Sequence, residues 1–449
     1  MNKTRELDML HGPLLGNLIR FALPIALSSM LQQLFNAVDT SVVGRFADAN
    51  ALAAVGTNGE IVALLVTVSS GLAVGVNVWI AHCIGESTPE KIPSILHTAL
   101  LLAGVLGLGG AMAGQGAAAP LLRLLNTPEK ILPLAVLYLR IYFAGYPFLL
   151  LYDFGSAILR AKGDSRRPFT ALTASGVLNV VLNLFFVLAC DLGVAGVAIA
   201  TGFSTAFSAG LVLFWLAKEQ AEFRLSLAAL RFDGADLKRI LRIGIPSAVQ
   251  GAVFCFANLF VQADVNRFGA AAIAGSTIAM NFEYFGYFFI TAFGQAATTF
   301  TSQNFAAGRR DRCRKVLWLS MGCAMGFCAL LTVPLTIWRT AAASVFSMEP
   351  AVIAAAGVRI LHILTFEPIC GCYEVPSGVL RGTGHSALPA ILTILGTCLL
   401  RIVWSLTVFE CSGTLESLYI VFPVSWCVTI ALIWAGYAVV RPLKLHKLA

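Results

Sequence analysis

The residues of this chain that could do chemistry are polar side chains placed inside long apolar segments. Gln32, Asn36 and Asp39 are spaced i, i+4 and i+7, which places them on one face of a helix. An ionisable side chain near the centre of a membrane-spanning helix costs about 2.5–3.5 kcal/mol on insertion scales, so Asp39 should face a cavity or a partner. This spacing predicts an ion or proton site at Asp39. The alternative is that Asp39 lies near the outer mouth of its segment and is solvated.

Candidate partners for Asp39 lie in two later apolar segments. Asn179 and Asn183 are again i, i+4 on one helix face, and Thr201 interrupts an apolar run. Amide, hydroxyl and carboxylate oxygens are hard donors that suit Na⁺ or a protonated carboxyl network. We therefore predict ion coupling at Asp39, Asn36, Asn179, Asn183 and Thr201, with Asp39, Asn179 and Asn183 as the ligands if the ion is Na⁺. The alternatives are ordinary interhelical hydrogen bonds for the two asparagines and a bond from Thr201 to its own helix backbone.

The second half of the chain carries a different set of intramembrane polar residues. Val261 stands where the first half has Asp39, whereas Asn258 keeps the first-half asparagine. Glu283 lies among aromatic residues, and a carboxylate beside aromatic faces could hold an organic cation. Equally, Glu283 could pair with an arginine such as Arg401. The residues predicted to contact substrate are Gln32, Asn258, Glu283, Tyr284 and Tyr287. Three further carboxylates of this half are Asp264, Glu367 and Glu374.

The elements that must position these residues are membrane helices. Hydrophobic residues make up 58% of the 449 residues, charged residues make up 12%, and the mean hydropathy is +0.82. A soluble domain has about 25% charged residues. A transmembrane helix needs roughly 20 mainly apolar residues, and twelve segments meet this requirement. They lie near 15–40, 51–82, 93–114, 131–157, 168–189, 192–217, 241–266, 272–300, 315–337, 352–378, 388–409 and 416–440. The sequence thus predicts an all-α integral membrane protein with twelve transmembrane helices.

The second half of the chain repeats the first. The pattern R-x-x-G-x-S-x-x-P occurs at residues 160–168 and again at residues 381–389. Because each repeat contains six spans, an even number, both halves enter the membrane from the same side, as parallel transporter repeats do. We therefore predict two six-helix, pseudo-symmetric lobes with the substrate path between them. The predicted N-terminal lobe covers 1–217, a cytoplasmic linker covers 218–240, and the C-terminal lobe covers 241–449.

The basic residues indicate an orientation and not a nucleic-acid partner. The net charge is +8, and 22 of the 31 Lys and Arg residues fall on one predicted side of the membrane. The positive-inside rule makes that side cytoplasmic and places both termini there. The connections on the other side hold five basic residues, which are Arg45, Arg123, Lys130, Arg267 and Arg339. The sequence thus predicts a multi-pass protein of the cell membrane and no binding of nucleic acid.

Several motifs resemble those of the multidrug and toxic compound extrusion (MATE) family, in its prokaryotic branch with an acidic residue in the first span. They are QQLFNAVD at 32–39, ALAAVG at 51–56, LRAKGDS at 159–165, QN at 303–304 ahead of AG at 307–308, LRGTG at 380–384 and FPVSW at 422–426. The resemblance covers nearly the whole chain in the same order. It implies two six-helix lobes around a central cavity. It also implies export of organic cations and other amphipathic compounds in exchange for H⁺ or Na⁺.

The resemblance also implies roles for individual residues. In that branch the N-lobe ion site involves an Asp in span 1, matched here by Asp39. It further involves an Asn and an Asp one helical turn apart in span 5, and a Thr in span 6. Asn179 and Thr201 match, but Asn183 stands where the family has Asp. This departure removes one titratable group and leaves the coupling ion and its stoichiometry open. The family's C-lobe carboxylates are matched only loosely, by Glu283 and the span-10 glutamates.

The predicted function is secondary active multidrug efflux by alternating access, with a small organic cation as substrate and H⁺ or Na⁺ as the counter-ion. The alternative is a flippase for a lipid-linked precursor, which should favour cationic residues that hold pyrophosphate. The predicted intramembrane charges are mostly acidic, against Arg140, Arg359 and Arg401, which favours the antiporter. An enzyme is not expected, because the 6 histidines and 11 cysteines show no ligand or catalytic spacing. We expect no cofactor and a monomer in the lipid bilayer.

Overall fold

The structure, a computed structural model, describes residues 6–46, 49–125, 127–219 and 221–444. Over these residues it is helical and contains no β-strand. The α-helices are α1 (Leu14–Phe46), α2 (Ala49–Gly85), α3 (Ile92–Leu124), α4 (Leu132–Lys162), α5 (Arg166–Leu184), α6 (Gly193–Ala217), α7 (Gly234–Asn266), α8 (Ala270–Ala306), α9 (Arg310–Ile337), α10 (Arg339–Ser344), α11 (Pro350–Ile363), α12 (Gly371–Gly382), α13 (Ala387–Thr393), α14 (Leu400–Trp404), α15 (Glu410–Ser412), α16 (Leu415–Tyr419) and α17 (Val421–Val440).

Short π-helical and 3₁₀ segments link several of these helices. The π-helical segments are Phe185–Ala189, Ile394–Leu399 and Ser405–Phe409. They continue α5, α13 and α14 without a chain reversal, so α13 to α15 form one long helix. The 3₁₀ segments are Pro89–Lys91, Ala221–Phe223, Leu227–Ala229 and Glu367–Cys370.

Ten helices of the described residues are long and apolar enough to cross a membrane. The count becomes eleven when the bent pair Pro350–Ile363 and Glu367–Gly382 is taken as one span. The predicted span 272–300 is not among them, although α8 is 37 residues long. Its middle carries Asn281, Glu283 and two tyrosines, which lower its hydropathy. The all-α membrane fold is thus confirmed.

The repeated motif folds into the same kind of helix end in both halves. Gly163 ends α4 with φ of 102°, and its N–H donates to the Arg160 carbonyl at 3.0 Å. Gly384 follows α12 with φ of 87°, and its N–H donates to the Arg381 carbonyl at 2.9 Å. A left-handed residue at this position favours glycine, because a Cβ atom would be strained there. The shared glycine of the motif therefore has a conformational reason.

The chain folds into two compact units. The first unit holds the residues up to Leu7 and Leu27–Ala248, and the second holds Asp8–Ala26 and the residues from Val249 onward. The lobe boundaries predicted at 217 and 241 assign the start of α1 to the N-terminal lobe and α7 from residue 241 to the C-terminal lobe. In the structure, the start of α1 lies in the second unit and the start of α7 lies in the first. The predicted linker 218–240 lies within the first unit.

Glycines explain why the start of α7 belongs to the first unit. A Cβ atom added at Gly71 of α2 would lie 2.5 Å from the Ala248 Cα, and one at Gly75 would lie 2.1 Å from the Ile240 carbonyl oxygen. Only glycine permits this close approach of two membrane helices. In the second unit, the start of α1 is held by Phe21, which is fully buried and packs edge-to-face on Phe300 with ring centroids 5.6 Å apart.

Candidate functional site

A chain of hydrogen bonds in the first unit joins polar side chains of α1, α5 and α6. The Asn183 amide donates to the Asp39 carboxylate and, at 3.1 Å, to the Asn179 amide oxygen. The Asn179 amide in turn donates to the Thr201 hydroxyl at 3.4 Å. Thr201 donates to the Val197 carbonyl of its own helix at 3.0 Å. Four of the five residues predicted to couple the ion are therefore in one cluster, which we call the Asp39 cluster (Asp39, Asn179, Asn183 and Thr201).

Within the described chain the Asp39 cluster is largely buried and has no cationic partner. Asp39 is 9% exposed and Asn183 is fully buried. None of the ion pairs found among the described residues involves Asp39. The amide oxygen of Asn183 is also buried and accepts no hydrogen bond in the described part of the chain. A buried carboxylate is costly unless a proton or a cation neutralises it. The cluster therefore has the oxygens and the charge that a cation or proton would satisfy.

One local feature brings α5 close to α1 at this site, and another marks α5 just beyond it. A Cβ atom added at Gly176 would lie only 1.7 Å from the Phe35 ring, so only glycine allows the two helices to pack this closely. Two residues after Asn183 the helix widens into the π-helical segment Phe185–Ala189. Such π-helical turns inside helices are frequent at functional sites.

The structure does not bring Asn36 or Gln32 into the Asp39 cluster. Asn36 is exposed, and its backbone carbonyl accepts a hydrogen bond from the Thr40 hydroxyl at 3.0 Å. Gln32 is half-buried on the same helix. Neither side chain joins the hydrogen-bond chain described above, so a role for either rests on the sequence pattern.

In the second unit, Glu283 forms a two-point ion pair with Arg359. The Arg359 Nε and Nη2 atoms lie 2.6 and 2.8 Å from the two carboxylate oxygens. Arg359 is 4% exposed and also donates to the Ser276 hydroxyl at 2.8 Å. The sequence left pairing with an arginine such as Arg401 as the alternative to substrate contact, and the partner is Arg359. The charge of Glu283 is thus already balanced.

The aromatic residues predicted to act beside Glu283 differ in their surroundings. Tyr284 is exposed, and its ring stacks on Phe288 with centroids 6.2 Å apart. Tyr287 is half-buried one turn further along α8. The stacked rings of Tyr284 and Phe288 therefore lie on the same helix as Glu283, whose carboxylate is already bound by Arg359.

Arg401 is a buried cation that the sequence identified as an intramembrane charge and as a possible partner of Glu283. It is 1% exposed, and its guanidinium lies 4.1 Å from the Phe422 ring centroid. It donates to the Asn258 amide oxygen at 2.9 Å and to the Ser425 hydroxyl at 3.3 Å. No carboxylate of the described residues lies within 4.0 Å of it. Asn258, a predicted substrate contact, is therefore hydrogen-bonded to Arg401. The two residues are too far apart in the sequence for helical spacing to predict this contact.

The remaining acids of the second unit fall into three environments. Glu374 pairs with Arg381 at 2.5 Å, so its charge is balanced. Asp264 accepts a hydrogen bond from the Ser405 hydroxyl. Glu367 is buried, and one of its carboxylate oxygens accepts no hydrogen bond within the described chain. The residues that the structure describes contain no group of three or more His, Cys, Asp and Glu side chains that could hold a metal ion.

Comparisons with known proteins agree with this fold. The chain is 25% identical over 438 residues to the probable multidrug resistance protein YoeA of Bacillus subtilis, covering 94% of this chain and 93% of that relative. It is 27% identical over 351 residues to an FAD transporter of Shewanella oneidensis, covering 77% of each chain. The solved outward-facing conformation of a multidrug resistance MATE family transporter of the MOP superfamily superimposes with a TM-score of 0.90. That structure is 22% identical, and the match covers 99% of this chain and 100% of that one, which establishes the fold.

The family assignment rests on the sequence as a whole. The MatE family profile matches twice, at residues 24–185 and 246–407, and the two matches coincide with the two repeats seen in the sequence. Together they cover more than half of the chain. The resemblance inferred from the motifs is thereby confirmed. The protein belongs to the MatE family and is a multi-pass membrane transporter, not an enzyme.

Proposed function

We propose that this protein is a secondary active efflux antiporter of the cell membrane. As a monomer, it would export small organic cations or amphipathic drugs by alternating access in exchange for H⁺ or Na⁺. Membership of the MatE family and a relative described as a probable multidrug resistance protein support efflux. The observation that carries the coupling step is the buried Asp39 carboxylate, which Asn183 hydrogen-bonds and no described basic residue balances.

Coupling at Asp39 follows from the cost of its charge. A proton makes the carboxyl group neutral, and a Na⁺ ion bound by the cluster oxygens balances the carboxylate. Without either ion the closed site carries an unbalanced charge, whose cost of about 2.5–3.5 kcal/mol corresponds to a roughly 60- to 300-fold preference for the loaded site. The transporter would thus pass through its closed states mainly with an ion bound. Ion release to the other side then resets the site.

The test compares Asp39→Asn with Asp191→Asn in liposomes that carry an imposed Na⁺ or H⁺ gradient and a fluorescent organic cation. Asp39→Asn keeps size and hydrogen bonding but removes the titratable group, and we expect gradient-driven transport to be abolished. Asp191→Asn is a matched control, because Asp191 is exposed and has φ of 51°, which asparagine tolerates. Full transport by purified, folded Asp39→Asn would place coupling elsewhere, with the buried Glu367 as the next candidate.

Asn183→Asp tests whether the departure from the family pattern sets the ion. It would place a second carboxylate against Asp39, and two adjacent carboxylates favour a shared cation or one retained proton. We expect transport to persist with a larger dependence on a Na⁺ gradient at constant pH. An unchanged ion dependence would argue that Asn183 only positions Asp39.

A second candidate cargo is an anionic compound, either a lipid-linked precursor moved by a flippase or a phosphate-containing solute. The buried guanidinium of Arg401, which has no described carboxylate partner, is the observation that favours it. One relative is described as an FAD transporter. In the same liposomes, FAD would compete with the fluorescent cation only if anions enter the pathway. Arg401→Gln should then weaken that competition more than it weakens cation transport.

The orientation is tested with cysteines. The positive-inside rule places residues 225–235 in the cytoplasm and the exposed native Cys190 and Cys411 outside. The tail near 445, also predicted to be cytoplasmic, lies outside the described residues. In single-cysteine variants, a membrane-impermeant maleimide applied to intact cells should label Cys190 and Cys411 but not a cysteine placed at Ser226. Labelling of Ser226→Cys in intact cells would reverse the orientation.

A further inference from the structure

A strongly basic cavity lies at the start of α9 in the second unit. Its volume is about 930 Å³. Six basic side chains line it, namely Arg309, Arg310, Arg312, Arg314, Lys315 and Lys444, together with one acidic residue, Asp311. We call it the basic cavity. The Asp39 cluster belongs to the first unit and shares no residue with it, so the basic cavity can be considered independently of the proposed transport function.

One acidic residue lines the basic cavity beside six basic ones, so its lining carries a net positive charge. Arg309 and Arg312 donate to backbone carbonyls of the segment 9–12, at 2.7 Å to Leu10 and 2.9 Å to His11, and a carbonyl leaves the cationic charge in place. Asp311 pairs with Arg314 at 3.4 Å in an exposed position. Exposed pairs of this kind contribute little, about 0–1 kcal/mol.

The two lysines of the basic cavity are the side chains most available to a ligand. Lys315 and Lys444 are exposed and form no ion pair within the described chain. Leu443, beside Lys444, is buried and fixes the end of the described chain at the rim of the cavity. The cavity therefore offers exposed cations on two separate segments. Its ligand must be anionic.

Aromatic side chains show the depth at which this anion would lie. Trp318 follows Arg314 by one helical turn on α9 and is 58% exposed. Its ring stacks on Trp434 of α17 with centroids 5.7 Å apart, and Tyr437 packs beside Trp434 at 5.6 Å. Trp and Tyr are enriched where a membrane protein meets the headgroup layer. The basic cavity thus lies at headgroup level, with apolar helix surface continuing from it towards the hydrocarbon.

We propose that the basic cavity binds the phosphate headgroup of an anionic phospholipid. The phosphodiester oxygens accept hydrogen bonds from Arg314, Lys315 and Lys444, and the acyl chains lie along α9 past Trp318. Basic pockets on the cytoplasmic side of membrane proteins bind lipid headgroups in this way. The aromatic belt favours a lipid over a phosphate that arrives from solution, because a soluble anion gains nothing from the neighbouring apolar surface.

Native mass spectrometry of the purified full-length protein tests the proposal, with phosphatidylglycerol and phosphatidylcholine as competing probes. The test variant is Arg314→Gln with Lys315→Gln, two exposed positions whose change should leave the fold intact. The control is Arg224→Gln with Lys238→Gln, which removes two exposed charges from the same predicted side but outside the cavity. Each basic residue contributes about a fivefold gain in affinity, so we expect phosphatidylglycerol binding about 30-fold weaker in the test variant. The control should bind as the wild type does.

Three results would overturn the assignment. Equal loss of phosphatidylglycerol in the control would show a general surface-charge effect. Equal binding of phosphatidylcholine by the wild type would show that the anionic headgroup is not recognised. Inorganic phosphate that binds as tightly as phosphatidylglycerol would show a site for a soluble anion. Helical circular dichroism of both variants, unchanged from the wild type, confirms that the comparison is between folded proteins.

Discussion

The ion pair between Glu283 and Arg359 makes a strong prediction about stability. Glu283→Gln removes the negative charge but keeps the size of the side chain and one carbonyl acceptor. Arg359, which is 4% exposed, then retains its charge, the bond to Ser276 and two aromatic neighbours. The ring centroids of Tyr419 and Phe422 lie 5.2 and 5.5 Å from its guanidinium. None of these neighbours carries a negative charge, and the carboxyl of Glu367, which also interacts with Arg359, forms no ion pair with it within the described chain.

The magnitude follows from these contacts. Removing one partner of a buried ion pair costs about 3–5 kcal/mol, because the other charge stays buried without compensation. The two aromatic faces offset part of this cost, at about 0.5–2 kcal/mol for a cation over a ring. We therefore expect Glu283→Gln to lower the free energy of unfolding by about 3 kcal/mol, the lower end of the range for a broken buried pair. Removing both charges, with Glu283→Gln and Arg359→Met together, should recover most of that loss.

The assay is a double-mutant cycle read by unfolding in mild detergent. Both single variants should be clearly less stable than the wild type, and the double variant should be more stable than either. The contrary result is a Glu283→Gln variant that is as stable as the wild type but has a raised KM for transport of an organic cation. That result would mean that Glu283 is free to contact substrate, as the sequence predicted, and that the ion pair contributes nothing.

Two further predictions concern the first unit. Gly176→Ala should destabilise the protein and stop transport, because the added Cβ would lie 1.7 Å from the Phe35 ring. Phe35→Ala in the same chain should restore stability. A Gly176→Ala protein with wild-type stability would contradict the close packing of α1 and α5. Burial alone would raise the pKa of the Glu219 carboxyl, but the ion pairs with Lys162, at 2.6 Å, and Arg167 outweigh it and lower the pKa below its usual 4.5. Because the folded pKa is the lower one, this stabilisation is present above pH 4.5 and is lost as the pH falls through the folded pKa. Melting temperatures from pH 7 to pH 3 should therefore fall less steeply for Glu219→Gln than for the wild type, and parallel curves would show that the ion pairs are not coupled to folding.

Much of the fold could be predicted because it depends on local patterns. Apolar runs of helical length identify the spans, and the repeated R-x-x-G motif ends a helix at Gly163 and again precedes a turn at Gly384. Among the described helices of membrane-spanning length, α8 is the least apolar, because its middle carries Glu283 among other polar residues. The apolar residues on either side of these polar ones still predicted the span 272–300, and the charge of Glu283 is accommodated there by its ion pair with Arg359.

All four members of the Asp39 cluster were predicted from the sequence, but the choice among the residues of α1 was not. Helical spacing places Asn179 and Asn183 on one face, and the family resemblance agrees with the polar pattern at Asp39 and Thr201. The same spacing also pointed to Asn36, which the structure leaves exposed outside the cluster. A stripe of residues at i, i+4 and i+7 spans two turns of helix, and only the position of α5 against α1 decides which turn meets the partner.

The sequence by itself determined the helices, the repeat and Asp39 as the candidate carboxylate, because helix spacing and hydropathy act over a few turns. Only the tertiary structure decided which charges meet. Glu283 pairs with Arg359, 76 residues away, whereas Arg401 holds Asn258, 143 residues away. The tertiary structure also decided that α1 and α7 are each shared between two compact units. The physical reason is that these outcomes depend on how closely glycine-lined helices pack. The distance between two helices cannot be read from the residue order of either helix alone.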